Sequence, residues 1–491
     1  MRKSGILMHI TSLPGPYGIG SMGAAAYAFI DFLRSAGQSY WQILPVNPTG
    51  YGDSPYSAFS SVAGNPYLID LEQLIQQGLL LQEEVEALDW GNDETRVDFG
   101  LLYQNRYQAL RTAFRRFNPD KDYEWFVLRN QDWLPDYGLF MAAKEHYHGS
   151  SWLNWPTGLM MHLPHALESF HAELEEEVRF HYFLQYVFIQ QWKRLRNYAK
   201  EKGIRIIGDV PIYVPLDSAD VWSSPKLFQL GNNRRPKLVA GCPPDSFSAD
   251  GQLWGNPLYD WEQMKKDGYD WWIRRLKAAA RMYDVVRLDH FRGFESYWAI
   301  PAGDDTARNG QWMPGPGMDF IQAIQKALPE LDFIAEDLGY VTDEVRTLQL
   351  SSGYPGMKVL EFAFDSREVG DYSLDTYPIN SVCYTGTHDN ETLQQWLTAA
   401  AWADVADAKA TLGLNEAEGY VWGMIRAAME SKSRLCMVQM QDYLELGGEA
   451  RMNFPGTVSP NNWTWRAKQG FDSPELAKKI ANVTRLYGRC E

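Results

Sequence analysis

The sequence predicts an α/β protein built on a (β/α)8 TIM barrel, with helical and loop insertions between the strands. Three observations favour this fold. Eight apolar runs of strand length recur along the chain, helical patterns separate most of them, and acidic residues stand at the ends of several runs. Repeated alternation of strands and helices is typical of a parallel sheet, and eight repeats close a barrel.

The eight apolar runs are the predicted barrel strands, because parallel strands that are buried on both faces read as near-continuous apolar stretches. They are residues 5–10, 40–46, 204–214, 284–291, 332–338, 358–364, 381–389 and 434–444. Helical patterns lie between most of them. "AAAYAFIDFLRSAG" follows the first run, and "YDWWIRRLKAAARMY" precedes the fourth.

The chain has 491 residues, whereas a minimal barrel needs roughly 250, so insertions must account for the surplus. Residues 72–200, between strands two and three, have mostly helical patterns, and we expect them to pack on the barrel as a subdomain. Residues 215–262 are rich in Gly, Pro and Asn, which predicts a loop-rich insertion that covers the cleft. With no flexible linker, residues 1–491 are predicted to form a single catalytic barrel.

Charge and cysteine content narrow the class of protein. The net charge of −16 makes nucleic acid and anionic membranes poor partners. Four scattered cysteines, Cys242, Cys383, Cys436 and Cys490, have no metal-binding spacing and fit a reducing compartment. No signal peptide or membrane-spanning run is present, so a cytoplasmic protein is expected. The aromatic content of 14% fits either a rich core or rings that stack on sugars.

Acidic residues mark the ends of five successive predicted strands, which is where the loops of a barrel enzyme carry its catalytic groups. They are Asp209, Asp289, Glu336 with Asp337, Asp365, and Asp389 preceded by His388. Buried, unpaired carboxylates are too costly to accumulate without a role. The pattern therefore predicts a carboxylate-based active site, which suits either divalent metal binding or glycosyl transfer.

The stretch "VVRLDHFRGF" favours glycosyl transfer. Arg287 and Asp289 are two positions apart, so on a strand they project from the same face. This arrangement is either a structural ion pair or a nucleophilic carboxylate that Arg287 keeps ionised. Glu336 lies in the apolar stretch "FIAEDL", where desolvation would raise its pKa and suit it to act as the acid/base. Metal binding would leave the aromatic residues and His388 unexplained.

Eight motifs carry a family resemblance. They are "SLPGPYGIGSMG", "WQILPVNPTGYGDSPYSAFSSVAGNPYLID", "GDVPIYV", "LWGNPLYDW", "VRLDHFRGF", "IAEDLG", "YTGTHDNET" and "ARMNFPGTVSPNNW". In this order they cover almost the whole chain, and they resemble the 4-α-glucanotransferases (amylomaltases or disproportionating enzymes) of glycoside hydrolase family 77. That family has an α-amylase-like barrel without the usual C-terminal β-domain, and the same architecture is expected here.

The resemblance implies a role for each matching residue. Asp289 resembles the nucleophile, Glu336 the general acid/base, and Asp389 the third carboxylate, which stabilises the transition state. The implied substrate contacts and orienting partners are Tyr56, Asp209, Trp254, Arg287, Asp365, His388 and Asn453. Outside their motifs, Tyr56 and Trp254 would be read as core aromatics, and His388 as a core histidine.

The predicted function is retaining 4-α-glucanotransfer, in which α-1,4-glucan segments move to the 4-hydroxyl of an acceptor glucan or glucose. The predicted partners are α-1,4-glucan oligosaccharides and polysaccharides, and no metal or organic cofactor is expected. An α-amylase-type hydrolase is the nearest alternative. A maltodextrin-binding protein and a metal-dependent lyase or isomerase are more distant ones. The sequence does not indicate an oligomeric state.

Overall fold

A computed structural model describes residues 2–50, 52–244, 248–366 and 373–490. Its strands, in chain order, are β1 (Lys3–Leu7), β2 (Tyr40–Gln42), β3 (Arg205–Val210), β4 (Leu238–Cys242), β5 (Gln252–Pro257), β6 (Val285–Leu288), β7 (Ser296–Pro301), β8 (Gln311–Pro314), β9 (Asp332–Ala335), β10 (Gly356–Val359), β11 (Ser381–Tyr384) and β12 (Leu435–Gln439).

The α-helices are numbered in the same way. They are α1 (Ala24–Ser35), α2 (Leu71–Gln76), α3 (Gln82–Glu86), α4 (Phe99–Arg116), α5 (Lys121–Arg129), α6 (Leu134–His146), α7 (Thr157–Met160), α8 (Pro164–Glu173), α9 (Glu175–Glu201), α10 (Ala219–Ser223), α11 (Trp261–Lys266), α12 (Asp270–Met282), α13 (Gly317–Ala327), α14 (Asp343–Ser352), α15 (Leu393–Ala399), α16 (Trp402–Leu412), α17 (Tyr420–Glu430), α18 (Met440–Tyr443) and α19 (Pro474–Leu486).

Eight parallel strands form a closed barrel in the order β1-β12-β11-β10-β9-β6-β3-β2. Each predicted strand overlaps one of them, so the predicted (β/α)8 fold is confirmed. The sixth run differs in extent, because β10 ends at Val359 and "LEFAF" forms a 3-10 helix over Leu360–Phe364. A short apolar run does not distinguish a buried strand from a buried helical turn.

Side-chain alternation along the strands separates the barrel interior from the layer that contacts the helices. On β6, Val286 and Leu288 pack into the large core shared with the surrounding helices. Val285 instead joins Ile207, Ile334 and Met357 in a separate buried cluster formed only by barrel strands and their immediate neighbours. Arg287 has the same parity as Val285 and therefore points into the barrel.

The helix before β6 illustrates how local sequence determines packing. In α12, Trp272, Arg275, Leu276 and Ala279 recur at helical spacing and are all buried on one face. That face packs against β3, β6 and α9. Burial of this stripe fixes the helix against the strand that leads to Asp289.

The two long insertions have different structures. Residues 72–200 contain most of α2 and α9 and all of α3 to α8. Residues 215–262 contain α10 and also β4 and β5, which the loop-rich prediction did not include. These two strands join β7 and β8 in a four-stranded antiparallel sheet of order β5-β4-β7-β8. Among the described residues, no helix is both long and apolar enough to cross a membrane.

Candidate active site

A buried ion-pair network lies at the carboxyl ends of β3 and β6. Asp209 and Arg287 are direct partners in the register of these strands. Arg287 Nη1 donates to Asp209 Oδ1 at 2.9 Å and Oδ2 at 2.7 Å, and to Asp289 Oδ1 at 2.9 Å. The side chains of Arg287 and Asp209 are only 5% and 1% exposed, whereas that of Asp289 is 25% exposed. Asp289 is therefore the acid of this network that remains open to a ligand.

Main-chain amides position Glu336 at the end of the next strand, β9. The backbone N–H of His290 donates to Oε2 at 2.7 Å, and that of Leu338 donates to Oε1 at 2.9 Å. His290 has a left-handed backbone, with φ of 50°, directly after Asp289. The Phe291 N–H donates to the Glu336 carbonyl oxygen at 3.0 Å. The loops that follow β6 and β9 are thus joined, and the two candidate catalytic carboxyls lie in one rigid unit.

Electrostatics distinguish these two carboxyls. Burial raises the pKa of both Asp289 and Glu336. The negative charges of Asp209, Glu336 and Asp389 raise the pKa of Asp289 further. Arg287 opposes the rise at both residues, but it contacts only Asp289. In the described part of the chain, no cation lies within ion-pairing distance of Glu336. Two mutually repelling carboxyls disfavour double ionisation, so the pair favours a single negative charge, and the contact with Arg287 biases that charge toward Asp289.

Asp389 lies across the barrel from Asp209, in the loop after β11. Its Oδ1 accepts a hydrogen bond from Asn453 Nδ2 at 2.6 Å, and its Oδ2 lies 3.4 Å from His388 Nε2. Its side chain is 43% exposed, so the carboxylate is fixed but accessible. Burial lowers the pKa of His388, which favours a neutral imidazole beside this acid.

Arg451 anchors this side of the site, and reasoning from the sequence did not single it out. Its Nη2 donates to the Asp389 carbonyl at 2.8 Å, and its Nε donates to the Asn453 carbonyl at 2.9 Å. The guanidinium also lies 4.3 Å from the centre of the Phe454 ring. Its only sequence signal was its place in "ARMNFPGTVSPNNW", since a long loop has no periodicity that predicts contacts.

An aromatic wall connects the two sides. The Tyr56 ring stacks on His388 with centroids 4.9 Å apart and an interplanar angle of 16°. Its hydroxyl donates to Asp209 Oδ2 at 2.8 Å. Trp463, which sequence reasoning also missed, lies 5.8 Å from Tyr56 and 5.9 Å from His388. Tyr56 therefore links the buried network under Asp289 to the loop that contains Asp389.

Three further residues that the sequence singles out, Trp254, Asp365 and Asp337, have other surroundings. Trp254, on β5, packs edge-on against His290 with centroids 4.9 Å apart. Asp365 follows the 3-10 helix after β10 and is partly exposed, so it does not directly terminate a strand. Asp337 accepts the Met357 N–H at 2.6 Å and thereby caps β10.

The fold and this site define a class of protein: a parallel barrel enzyme with an Asp–Glu pair, a third carboxylate and a flanking aromatic wall. Such a pair is the arrangement that cleaves and re-forms glycosidic bonds. The acids also surround Arg287, so the centre of the cluster is occupied by a fixed positive charge.

Comparisons with known proteins agree with this class. Residues 8–471 match a family model described as 4-alpha-glucanotransferase. The chain is 45% identical over 488 residues to the 4-alpha-glucanotransferase of Clostridium butyricum, covering 99% of this chain and 100% of that protein. It is 47% identical over 501 residues to that of Thermus thermophilus, covering 99% of both. The amylomaltase from Streptococcus agalactiae, solved in complex with acarbose, superposes with a TM-score of 0.96 at 38% identity over the full length of both chains.

The chain belongs to the 4-alpha-glucanotransferase family. This finding confirms the resemblance, the enzyme class and the transferase function that the sequence predicts.

Proposed function

We propose that the protein is a retaining glucanotransferase that moves α-1,4-glucan segments through a covalent intermediate on Asp289. The observation that carries the mechanism is the different environment of the two central carboxyls. Asp289 contacts the Arg287 guanidinium, whereas Glu336 contacts only main-chain amides among the hydrogen bonds described above. One carboxylate that is kept ionised and one carboxyl that can keep its proton are the two groups that a double displacement needs.

In the first step, an Asp289 oxygen attacks the anomeric carbon of the donor glucan. The bond from that carbon to the leaving 4-oxygen breaks, and Glu336 gives its proton to this oxygen. The donor's reducing-end fragment leaves with a free 4-hydroxyl, and a glycosyl ester remains on Asp289. Glu336 is then ionised and ready to act as a base.

In the second step, the 4-hydroxyl of an acceptor glucan or glucose attacks the same carbon. Glu336 takes the hydroxyl proton, the ester bond to Asp289 breaks, and Asp289 leaves as a carboxylate beside Arg287. Two inversions retain the anomeric configuration. Asp389 is accessible and oriented by Asn453 and His388, which supports a role in binding sugar hydroxyls and stabilising the transition state.

The other candidate residues have supporting roles in this proposal. Tyr56 offers a stacking face beside the donor sugar, and Trp254 covers the loop that contains His290. Asp209 is 1% exposed with both oxygens in hydrogen bonds, so it acts through Arg287 and Tyr56. Asn453 orients Asp389, and Asp365 is proposed as a more distant substrate contact.

The proposed substrates are neutral α-1,4-glucans, which fits a chain with a net charge of −16 that disfavours nucleic acid and anionic membranes. A cytoplasmic location is proposed from the four scattered cysteines, which fit a reducing compartment. The solved amylomaltase with acarbose supports the substrate class.

Incubation with maltotriose tests the function. The products are resolved by length, and new reducing ends are counted over the same period. Glucose plus a ladder of longer maltodextrins, with few new reducing ends, is the expected result. Glucose and maltose, with reducing ends that rise in step, would instead make the protein an α-amylase-type hydrolase.

A further inference from the structure

A second pair of aromatic rings lies away from the aromatic wall of Tyr56, His388 and Trp463. Trp312, on β8, and Tyr340, in the loop after β9, have ring centroids 6.3 Å apart and an interplanar angle of 18°. Trp312 is 37% exposed and Tyr340 is 65% exposed. Aromatic side chains usually bury most of their surface, so a nearly parallel pair this open presents ring surface for a ligand.

A buried arginine fixes this pair. Arg292 is 4% exposed, and its guanidinium carbon lies 3.8 Å from the centre of the Trp312 ring. Its Nη1 donates to the Tyr340 carbonyl at 2.5 Å, and its Nη2 donates to Ser296 Oγ at 3.0 Å. Trp298 packs against Trp312 with centroids 5.1 Å apart. The rings are therefore preorganised, which lowers the entropic cost of binding a ligand on them.

The order of strands places this pair on one particular side of the reaction centre. Neighbouring strands β3, β6 and β9 carry Asp209, Asp289 and Glu336 in that order. Asp209 and Tyr56 thus lie on one side of Asp289, and Glu336 lies on the other. Tyr340 is four residues beyond Glu336, which limits their Cα separation to about 14 Å. Glu336 serves the leaving and attacking oxygens, so its side is the acceptor side.

We propose that Trp312 and Tyr340, which we call the acceptor platform, bind the apolar faces of glucose units in an incoming α-1,4-glucan chain. This proposal rests on the proposed function. We place the platform beyond the first acceptor sugar because Tyr340 follows Glu336 by four residues, so glucose alone should not reach it. Acceptors of several units gain contacts that glucose cannot make, and the protein prefers them.

The test compares acceptors of different length with one activated donor, a maltosyl fluoride. Tyr340→Ala is expected to raise the ratio of KM for maltotetraose to KM for glucose about fivefold, because it removes one stacking ring. Tyr340→Phe keeps the ring and is expected to keep the wild-type ratio. Trp402→Ala is the matched control, because Trp402 is an 85% exposed aromatic on α16. It is expected to change neither KM.

The outcomes separate this proposal from the function on which it rests. If wild type transfers glycosyl units and Tyr340→Ala keeps the wild-type KM ratio, the acceptor platform is wrong and the transferase stands. A loss of kcat that is equal for glucose and maltotetraose also overturns the platform, since it indicates a purely structural role. If the wild-type protein yields only hydrolysis products, the proposed transferase function is wrong, and so is the acceptor platform that rests on it.

Discussion

Asp289 and Glu336 end adjacent strands of the same barrel, yet they are held by different kinds of group. Asp289 contacts a buried guanidinium that is itself fixed by Asp209. Glu336 contacts the backbone N–H groups of His290 and Leu338. A cation stabilises charge strongly, whereas two amide dipoles position a carboxyl with less bias toward ionisation. The groups that contact each carboxyl, and not its position at a strand end, therefore distinguish the two chemical roles.

Substitution of Asp289, the proposed nucleophile, should have the largest effect on activity. Asp289→Asn keeps the shape of the side chain but removes the attacking carboxylate, so kcat for transfer from maltotriose should fall on the order of 10⁴-fold or more. Intact-protein mass spectrometry with an activated glycosyl fluoride should show no glycosyl adduct.

Asp284→Asn is the matched control, because Asp284 lies just before β6, at the opposite end from Asp289, and pairs with Arg196. It should retain transfer in its folded fraction. Near-normal transfer by Asp289→Asn would contradict the assignment of the nucleophile.

A second variant replaces Glu336, the proposed acid/base. Glu336→Gln cannot protonate the leaving 4-oxygen, so kcat on maltotriose should fall about 10²- to 10⁴-fold. A fluoride leaving group needs little protonation, so the adduct on Asp289 should still form and then persist. Burst kinetics with the fluoride donor would measure this separation of the two steps.

Asp337→Asn is the control for that variant, because Asp337 is the adjacent acid and caps β10. It should lower thermal stability and leave the burst pattern unchanged. If Glu336→Gln were equally slow with both donors, Glu336 would not be the acid.

Arg287, the cation that contacts Asp289 but not Glu336, can be removed by substitution. Loss of Arg287 alone would leave the buried Asp209 without its cationic partner, at a cost of about 3–5 kcal/mol of stability. The double variant Arg287→Met/Asp209→Asn avoids that cost. Arg287 lowers the pKa of Asp289 more than Asp209 raises it, so removal of both charges still raises this pKa. The attacking form is the ionised one, so the acid limb of the kcat/KM profile should move to higher pH, with a loss of about 10- to 100-fold at pH 6.

Asp209→Asn alone, which keeps Arg287 in contact with Asp289, is the comparison for this profile. Because the negative charge of Asp209 raises the pKa of Asp289, the acid limb of this variant should move to lower pH, opposite to that of the double variant. An acid limb that stayed at the wild-type pH in the double variant would show that Arg287 does not govern the ionisation of Asp289. Circular dichroism would confirm that each variant is folded at the pH values compared.

The parts of the molecule that sequence reasoning predicted are those governed by strand periodicity. Alternation places Arg287 and Asp289 on one face, and successive strand ends bring Asp209 and Glu336 beside them. Arg451 and Trp463 lie in a long loop after β12, where no periodicity relates one residue to another. The sheet that contains β4 and β5 was missed because short strands among many Gly and Pro residues read as loop. Contacts between distant loops depend on the folded barrel and have no local signal.

The smallest expected effect concerns Arg451, which anchors Asp389 through main-chain carbonyls and does not touch Asp289 or Glu336 in the interactions described. Arg451→Met should leave Asp389 less well placed, and kcat/KM should fall about 10-fold, the loss of one or two charge-assisted hydrogen bonds. Added guanidinium ion should restore part of the activity, since it can occupy the vacated position.

Arg426→Met, which removes an arginine paired with Glu418 away from the site, should lose stability without such rescue. Failure of guanidinium to rescue a folded Arg451→Met enzyme would mean that Arg451 only supports the loop and that Asn453 and His388 orient the Asp389 carboxylate.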